Sequence, residues 1–206
     1  MIPATTRRRL VAAGAAAVVA ALALTGCTSG NDSLSKQYGS GTTQNYISGD
    51  GAVTEVAVDK RSDPVSFDVK DSDGNAVSSK ALRGKVVVLN FWYAGCPPCR
   101  AEAKSLNKVH DDNAGKDVAF VGVNVRDEAG TAKAFERTFH VDYPTVLDSG
   151  TGTMQLALSG QIAPNAVPAT IVLDKQGRVA ARVLGAVDGP SILGTLVSDE
   201  LAGKAS

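Results

Sequence analysis

Side chains that bind metal ions are scarce in this 206-residue chain, which has three cysteines and two histidines. Cys96 and Cys99 are spaced as in half of a zinc site, but structural zinc needs four ligands. Only Cys27, His110 and His140 could complete the set. The ligand count therefore argues against a zinc site, and we expect no metal or other cofactor.

An excess of basic charge is also missing. The chain has 21 Lys plus Arg and 21 Asp plus Glu, so its formal net charge at pH 7 is zero. Three arginines at residues 7–9 lie in a segment that we expect to be removed, which leaves a net charge of about −3. Charges of both signs are interspersed along the remainder. We therefore expect no nucleic-acid partner.

A hydrophobic run long enough to span a bilayer comfortably is the third absence. The uncharged run from Leu10 to Leu24 has about 15 residues, whereas a spanning helix needs roughly 20. Basic residues precede it and Leu24-Thr25-Gly26-Cys27 ends it, a layout typical of a secretory signal. The last four residues resemble a bacterial lipoprotein signal, which implies a lipid on Cys27. The alternative is an uncleaved membrane anchor with a free thiol at that position.

These features divide the chain into three parts. We predict a lipoprotein signal peptide at 1–26, a flexible tether at 27–50 and one folded domain at 51–206. The tether is rich in Ser, Gly, Thr, Asn and Asp, and it has too few apolar residues to fold. The domain would be lipid-anchored on the extracytoplasmic side of the cell membrane, where cysteine pairs can oxidise.

The apolar pattern of the domain alternates between strand and helix periods. Residues 85–91 form a β-branched run typical of a strand buried on both faces, and residues 96–113 show the three-and-four spacing of a helix. Similar patterns predict strands at 53–58, 65–69, 118–125, 145–147, 171–173 and 178–184, and helices at 131–139, 153–158 and 191–201. This order predicts an α/β fold with a central mixed sheet, helices on both faces and a short antiparallel addition at the N-terminal end.

The segment Cys96-Pro97-Pro98-Cys99 lies where the buried strand gives way to a helix. Proline suits the first turn of a helix, so Cys96 is predicted at the helix N-terminus, where the helix dipole favours a thiolate. Cys99 is expected to be the more buried thiol, which attacks a mixed disulfide and releases the substrate. The alternative is a purely structural disulfide, although so short a loop would stabilise the fold little.

The domain resembles the TlpA/ResA-like membrane-anchored thiol-disulfide oxidoreductases of the thioredoxin superfamily. The resemblance runs from about Val65 to Leu201 and rests on several motifs: Gly84-Lys85, Asn90-Phe91-Trp92, Cys96 to Glu102, Tyr143-Pro144, Val167-Pro168-Ala169-Thr170 and Asp174 to Arg178. It implies a thioredoxin-like fold and the reduction of disulfides in exported proteins, such as apocytochrome c before haem attachment. The extracytoplasmic location in turn makes a transmembrane thiol protein the expected electron donor, because no NADPH-linked reductase works outside the cytoplasm.

Further site residues follow from this resemblance. Pro168 matches the family's cis-proline beside the disulfide, which leaves the backbone of Val167 free to pair with an incoming peptide. An ordinary trans proline is the alternative. Trp92 is expected to flank the active-site surface, and Pro97 to contact substrate beside Cys96. For Trp92 the alternative is packing in the core.

Glu102 matches a glutamate that lies near the buried cysteine in ResA-like proteins and influences its proton transfer. It follows Cys99 by three residues, so both lie on one helix face. A buried carboxylate there could accept the Cys99 proton and would have a raised pKa. Asn90 stands where thioredoxins proper keep a buried aspartate, so another base is needed. The alternative for Glu102 is a solvated position on the helix surface.

Two other classes of protein share parts of this pattern. A peroxiredoxin would have threonine three residues before its cysteine, where this chain has Tyr93. A Sco-type copper-binding module would have three residues between its cysteines and a distant histidine ligand, for which only His140 could serve. The direction of electron flow is less strongly indicated. Pro97 and Pro98 have no N–H to stabilise a Cys96 thiolate, which favours a reductant over an oxidase or isomerase.

Overall fold

The computed structural model describes residues 52–204, so the expected signal peptide, the lipidation site Cys27 and the whole of the expected tether lie outside the described residues. The described part contains eight strands and four α-helices. The strands are β1 (Ala52–Glu55), β2 (Asp68–Lys70), β3 (Ala76–Ser78), β4 (Val86–Trp92), β5 (Val118–Asn124), β6 (Thr145–Leu147), β7 (Ala169–Leu173) and β8 (Val179–Leu184). The helices are α1 (Pro97–Asp112), α2 (Ala129–Phe139), α3 (Thr153–Ala157) and α4 (Pro190–Ala202).

Six of the strands form one mixed sheet in the order β1-β8-β7-β4-β5-β6. β4, β5 and β6 are parallel to one another, whereas β7 is antiparallel to both β4 and β8. β2 and β3 form a separate antiparallel pair. The mixed sheet expected from the sequence pattern is therefore confirmed.

The central strand β4 is buried along its whole length. Its odd-numbered residues Val87, Leu89 and Phe91 belong to one apolar cluster, and Val86 and Val88 belong to a second. Successive side chains of a strand point to opposite faces, so the two clusters lie on opposite faces of the sheet. This arrangement explains why the strand is an unbroken apolar run rather than an alternating one.

Helices complete both clusters. α2 and α3 supply Ala132, Phe135 and Met154 to the first, and α4 supplies Leu193, Leu196 and Val197 to the second. The apolar stripe predicted on α1 is confirmed, because Cys99 and Ala103 join the first cluster while Leu106 and Val109 join the second. None of the helices among residues 52–204 has the length and apolar character needed to cross a membrane.

The N-terminal addition differs from the expectation. The strand expected at 53–58 is β1, which ends at Glu55 and pairs with β8 at the edge of the main sheet. Of the residues 65–69, only the last two lie in a strand, β2, which pairs with β3 across a turn held by the Asp71 carboxylate. An alternating pattern identifies a half-buried strand but carries no information about its partner.

An ion cluster connects the chain after β1 to the turn between β7 and β8 and to α4. Arg61 Nε donates to the Val56 carbonyl at 2.9 Å, Nη1 donates to Asp174 Oδ2 at 3.0 Å and Nη2 donates to Glu200 Oε1 at 2.7 Å. Arg178 Nε also donates to Asp174 Oδ2, at 2.8 Å. We call these four charged residues the Arg61 cluster; the side chains of Arg61 and Asp174 are each 3% exposed.

Candidate active site

A disulfide bond joins Cys96 and Cys99 at the N-terminus of α1, with 5.3 Å between their Cα atoms. Cys96 is the N-cap residue, and its Sγ accepts a hydrogen bond from Cys99 N at 3.2 Å. Pro97 and Pro98 occupy the first two helical positions. The predicted placement of the motif is therefore confirmed, and the helix dipole favours negative charge on Cys96 Sγ once the disulfide is reduced.

The two cysteines are about equally buried, which differs from the expectation. Cys96 is 0% exposed and Cys99 is 2% exposed, so the prediction that Cys99 would be the more buried of the two is wrong. Both belong to the same apolar cluster as Tyr93 and Val167, which pack at this end of the sheet. The neighbouring Pro97, by contrast, is exposed.

The turn before β7 reaches the same end of the sheet. The Val167–Pro168 peptide bond is cis, so the alternative of a trans proline is excluded. Ala169, the next residue, pairs with Phe91 near the end of β4 that leads to the cysteines. Among residues 52–204, no hydrogen bond involves the backbone amide or carbonyl of Val167. These groups therefore have no partner among the described residues, but Val167 is only 1% exposed, and its pairing with an extended peptide stays a prediction from the family resemblance.

Glu102 lies one turn beyond Cys99 on α1 and is 1% exposed, so the alternative of a solvated glutamate is excluded. Its Oε1 accepts a hydrogen bond from Asn90 Nδ2 at 2.9 Å, and its Oε2 accepts one from Val187 N at 2.8 Å. Asn90 Nδ2 also donates to Thr170 Oγ1 at 3.2 Å. No ion pair within residues 52–204 includes Glu102.

The balance of these effects places the Glu102 carboxyl group near neutrality. Burial disfavours its charged form and raises its pKa, while the hydrogen bonds from Val187 and Asn90 favour the charged form and oppose that rise. Burial dominates, and the pKa of Glu102 is raised from 4.5 to about 7. A carboxyl group with this pKa can take up or release a proton at physiological pH.

A surface cleft of about 450 Å³ lies over Glu102. Its wall includes Ser105 of α1, Asp188 of the segment between β8 and α4, and Ile192 of α4. Glu102 is thus a buried residue that lies directly beneath a solvent-filled cleft.

Trp92 is corrected from a surface residue to a core residue. It is only 3% exposed, and its ring lies 4.2 Å from that of Phe135 on α2. Gly122 on β5 makes room for the indole, since a Cβ atom there would lie 3.0 Å from Trp92 Nε1. The side chain therefore supports the end of β4 from within and offers no surface to a substrate.

The family model named Redoxin matches residues 49–197 of this chain. This chain belongs to the Redoxin family. The match includes the motif cysteines, Glu102 and the cis-proline turn, so the site just described lies wholly within the part that the family shares. The expected relationship to TlpA/ResA-like proteins is also confirmed, because curated relatives of the chain carry the name ResA.

Two such relatives show the extent of the similarity. The chain is 28% identical over 120 residues to the thiol-disulfide oxidoreductase ResA of Bacillus cereus, which covers 58% of this chain and 66% of that protein. It is 28% identical over 129 residues to ResA of Bacillus subtilis, and this match covers 63% of this chain and 69% of that protein. The chain thus spans about two thirds of the length of the curated relatives it matches.

Solved structures confirm the thioredoxin-like fold of this Redoxin-family chain. A secreted thiol-disulfide isomerase from Corynebacterium glutamicum is 27% identical and covers 76% of this chain and 96% of its own, with a TM-score of 0.67. A DsbF homologue from Corynebacterium diphtheriae is 28% identical, and the match covers 75% of this chain and 98% of the homologue, with a TM-score of 0.62.

Asp127 supports the active-site loop of this Redoxin-family protein and was not anticipated. Its Oδ2 accepts hydrogen bonds from Ala94 N at 2.6 Å and from Asn124 Nδ2 at 2.8 Å. It therefore fixes the backbone two residues before Cys96. The available signal was its place just after β5, because the carboxyl ends of parallel neighbouring strands meet at one edge of the sheet.

The described residues of the Redoxin domain offer no cluster of three or more His, Cys, Asp or Glu side chains that could hold a metal ion. His110 packs instead against the rings of Phe120 and Tyr143, at centroid distances of 5.4 and 5.5 Å. Its environment is therefore that of an aromatic cluster on the sheet.

Proposed function

We propose that the protein is a thiol-disulfide oxidoreductase that exchanges two electrons with cysteine pairs of exported proteins. The observation that carries this proposal is the Cys96–Cys99 disulfide at the N-terminus of α1, in one apolar cluster with Val167 of the cis-proline turn. A helix N-terminus activates the first thiol, and the turn offers unpaired backbone groups to a peptide substrate.

The reaction begins from the reduced protein. The Cys96 thiolate attacks one sulfur of a substrate disulfide, so that the substrate S–S bond breaks and a mixed disulfide forms. The sulfur that leaves takes up a proton. The Cys99 thiolate then attacks Cys96 Sγ and expels the second substrate sulfur. The substrate gains two electrons, and the protein ends with the Cys96–Cys99 disulfide seen in the structure.

Glu102 is proposed to accept the proton that Cys99 must lose before this second attack. The pKa of about 7 leaves a large share of Glu102 ionised at neutral pH and able to act as a base. Its place one helical turn from Cys99 puts the two on the same side of α1. The cleft beside Ser105 then lets the proton pass to solvent.

We propose that electrons flow towards the substrate. Pro97 and Pro98 have no N–H, and the hydrogen bond that Cys96 Sγ accepts among the described residues comes from Cys99 N. A thiolate with few donors is less stabilised, which makes its disulfide a weaker oxidant. Substrates would be exported proteins with disulfides to be reduced, such as apocytochrome c during cytochrome c maturation. A transmembrane thiol protein would restore the dithiol.

The protein is proposed to act at the outer face of the cell membrane, held by a lipid on Cys27. The supports are the Leu24-Thr25-Gly26-Cys27 sequence after an apolar run and the secreted nature of the Corynebacterium glutamicum relative. Expression of the full chain with a labelled fatty acid tests this proposal. We expect label in the membrane fraction and its loss in Cys27→Ser. Label retained in that variant would contradict the assignment.

Cysteine substitutions test the chemistry. In an assay that follows reduction of a model protein disulfide with dithiothreitol as electron source, Cys96→Ser should abolish catalysis. Cys99→Ser should accumulate the mixed disulfide with substrate, because the second attack is lost. Peroxide turnover that survives in Cys99→Ser would instead favour a peroxidase, and tight copper binding by the reduced protein would favour a Sco-type module.

The reduction potential of the Cys96–Cys99 pair tests the direction of electron flow. Equilibration with glutathione or dithiothreitol buffers should give a value below about −200 mV, on the reducing side of protein disulfide isomerase. A value near that of DsbA, about −120 mV, would make the protein an oxidase. A value close to that of the isomerase, about −180 mV, would favour isomerisation, as the name of the Corynebacterium glutamicum relative suggests.

A further inference from the structure

We propose that the side-chain amide of Asn90 turns over when Glu102 takes up a proton, so that Asn90 and Thr170 form hydrogen bonds with both protonation states of this buried carboxyl group. Asn90 is thus a positioning residue for the proton acceptor. The inference deepens the proposed function and rests on the role given there to Glu102.

The present arrangement favours the ionised carboxyl group. Each oxygen accepts an N–H, Oε1 from Asn90 Nδ2 at 2.9 Å and Oε2 from Val187 N at 2.8 Å. A protonated carboxyl group carries a hydrogen on one oxygen and needs an acceptor for it. Each oxygen already accepts one N–H, so the acid hydrogen would lie along a second lone pair, and the hydrogen bonds among the described residues provide no acceptor for it there. An acceptor in the place of the Asn90 N–H would satisfy this hydrogen at the buried position.

Asn90 is the donor that can move, because Val187 donates from the backbone. Rotation of an asparagine amide by half a turn exchanges its nitrogen and oxygen, and both orientations are allowed for this type of bond. After the turn, Oδ1 would occupy the place of Nδ2 and accept the Glu102 hydrogen. Both hydrogen bonds of the Asn90 side chain among residues 52–204 come from Nδ2, so the rotation breaks none at Oδ1.

Thr170 adapts to either orientation. Its hydroxyl now accepts a hydrogen bond from Asn90 Nδ2 at 3.2 Å, and Thr170 is completely buried. A hydroxyl can both accept and donate, so the same oxygen would donate to Asn90 Oδ1 after the turn. Glu102 and Thr170 then have a partner in both states, while one polar group of Asn90 has none among the described residues in each: Oδ1 now, and Nδ2 after the turn.

Other titratable groups around Glu102 are few. α1 contributes Cys99, which carries no charge while it is in the disulfide, and the segment before α4 contributes Asp188 on the wall of the same cleft. Tyr143 feels the Glu102 charge, which adds to the effect of burial in raising the pKa of Tyr143. β4 and β7 face Glu102 with Asn90 and Thr170. The group that changes charge next to the Asn90 amide near pH 7 is therefore Glu102 itself.

Nuclear magnetic resonance of the oxidised, isotope-labelled protein tests the proposal without substrate. The Glu102 carboxyl carbon reports its protonation, and nuclear Overhauser effects from the Asn90 amide hydrogens to the Thr170 methyl group and the Glu102 γ-hydrogens report the orientation of the amide. We expect strong nuclear Overhauser effects at pH values above the midpoint of Glu102 titration. Below that midpoint they should weaken several-fold, and the pH at which they change should equal the midpoint of the Glu102 carboxyl carbon titration.

Two variants sharpen the test. Glu102→Gln presents a permanent N–H to Asn90, as the protonated acid presents an O–H, so the weak pattern should persist at every pH. Asp188→Asn is the matched control, because it removes a carboxylate from the same cleft without touching Asn90. This control should keep the switch.

Nuclear Overhauser effects from the Asn90 amide hydrogens that stay the same at all pH values in the wild type, whether or not Glu102 titrates, would overturn the proposal. So would a Glu102→Gln protein that keeps the strong pattern. These results are independent of the proposed function, because they need no turnover. Loss of disulfide reduction without a change in the amide switch would refute the function alone, and a fixed amide in an active enzyme would refute this inference alone.

Discussion

Two buried carboxyl groups of this domain behave in opposite ways. Glu102 and Asp174 are 1% and 2% exposed. Burial favours the neutral form of both, yet it raises the pKa of Glu102 to about 7 while the pKa of Asp174 lies below its usual value. In Asp174 the effect of burial is outweighed by hydrogen bonds from the Arg178 backbone and from the guanidinium groups of Arg61 and Arg178.

The difference shows that the neighbours of a buried acid decide its task. Asp174 has two cations and stays charged, so it can only hold parts of the fold together. Glu102 has N–H groups of an amide and a peptide but no cation among the described residues, and this keeps its two protonation states close in free energy. A group of the second kind suits proton transfer.

The largest expected effect comes from removing the guanidinium group of Arg61 from the Arg61 cluster. Arg61→Met would remove one of the two cations beside the buried Asp174 and the guanidinium partner of the half-buried Glu200, so the free energy of unfolding should fall by about 3–5 kcal/mol at pH 7. Urea denaturation measures this change. Lys60→Ala is the matched control, because the adjacent Lys60–Asp59 pair is largely exposed. A loss similar to that of the control would show that the cluster contributes little.

The next effect is the dependence of stability on pH. Glu102 has a higher pKa in the folded state than its ordinary value of 4.5, so the folded protein binds more protons than the unfolded chain between pH 4.5 and about 7. The stability contributed by the neutral form is therefore present below pH 4.5 and is lost as the pH rises to about 7. We expect a loss on the order of 3 kcal/mol over this window, measured by urea denaturation.

Glu102→Gln isolates this contribution. The variant cannot ionise at position 102, so its stability should stay flatter between pH 5 and 8 than that of the wild type. Asp174 acts in the opposite sense, because its lowered pKa contributes stability above about pH 4 that is lost in stronger acid. A wild-type protein that gains stability from pH 5 to 8 would contradict the assignment of a raised pKa to Glu102.

A smaller effect is expected from Asn90→Leu, which removes the side-chain donor to the Glu102 carboxylate. A hydrogen bond to a charged group is worth roughly 1 kcal/mol more than one between neutral groups, so the pKa of Glu102 should rise by about one pH unit. Titration of the Glu102 carboxyl carbon measures it. Thr170→Val, which leaves the Asn90–Glu102 hydrogen bond in place, should shift the midpoint less. Equal shifts in the two variants would argue against a direct role for Asn90.

The smallest effect is expected where charges are exposed. Lys108 and Asp112 form an ion pair one turn apart on α1, and both side chains are more than half exposed. Lys108→Ala should change the free energy of unfolding by less than about 0.5 kcal/mol, and added salt should reduce the change further. A larger loss would mean that an exposed cation also stabilises this fold. Burial of the cations beside Asp174 would then no longer explain why Asp174 and Glu102 differ.

The strand and helix that hold the site could be predicted because the sequence patterns that specify them are local. The apolar run of β4, the stripe on α1 and the two prolines after Cys96 each act within one element. They placed Cys96 at the N-terminus of a helix and Glu102 on the face of Cys99. The motif of the cis-proline turn did the same for Val167-Pro168.

The remaining features depend on contacts between distant segments. Arg61, Asp174 and Glu200 meet although more than a hundred residues separate the first from the others. The Val187 amide reaches Glu102 from a segment with no motif of its own. The burial of Cys96 and Trp92 likewise depends on packing at the end of the sheet, which no local pattern reports. Composition and period describe a residue's own element but not what covers it.

The short strand β1 has a consequence for how copies of the protein meet. A strand at the edge of a sheet can add a strand from another molecule and so begin aggregation. β1 covers the outer side of β8, and it is itself only four residues long and ends in the charged Glu55. At the opposite edge, β6 has three residues. The long apolar strand β4 is thereby kept away from both edges, and β6 covers the last three residues of β5, Gly122 to Asn124. A second molecule could extend the sheet only along short stretches.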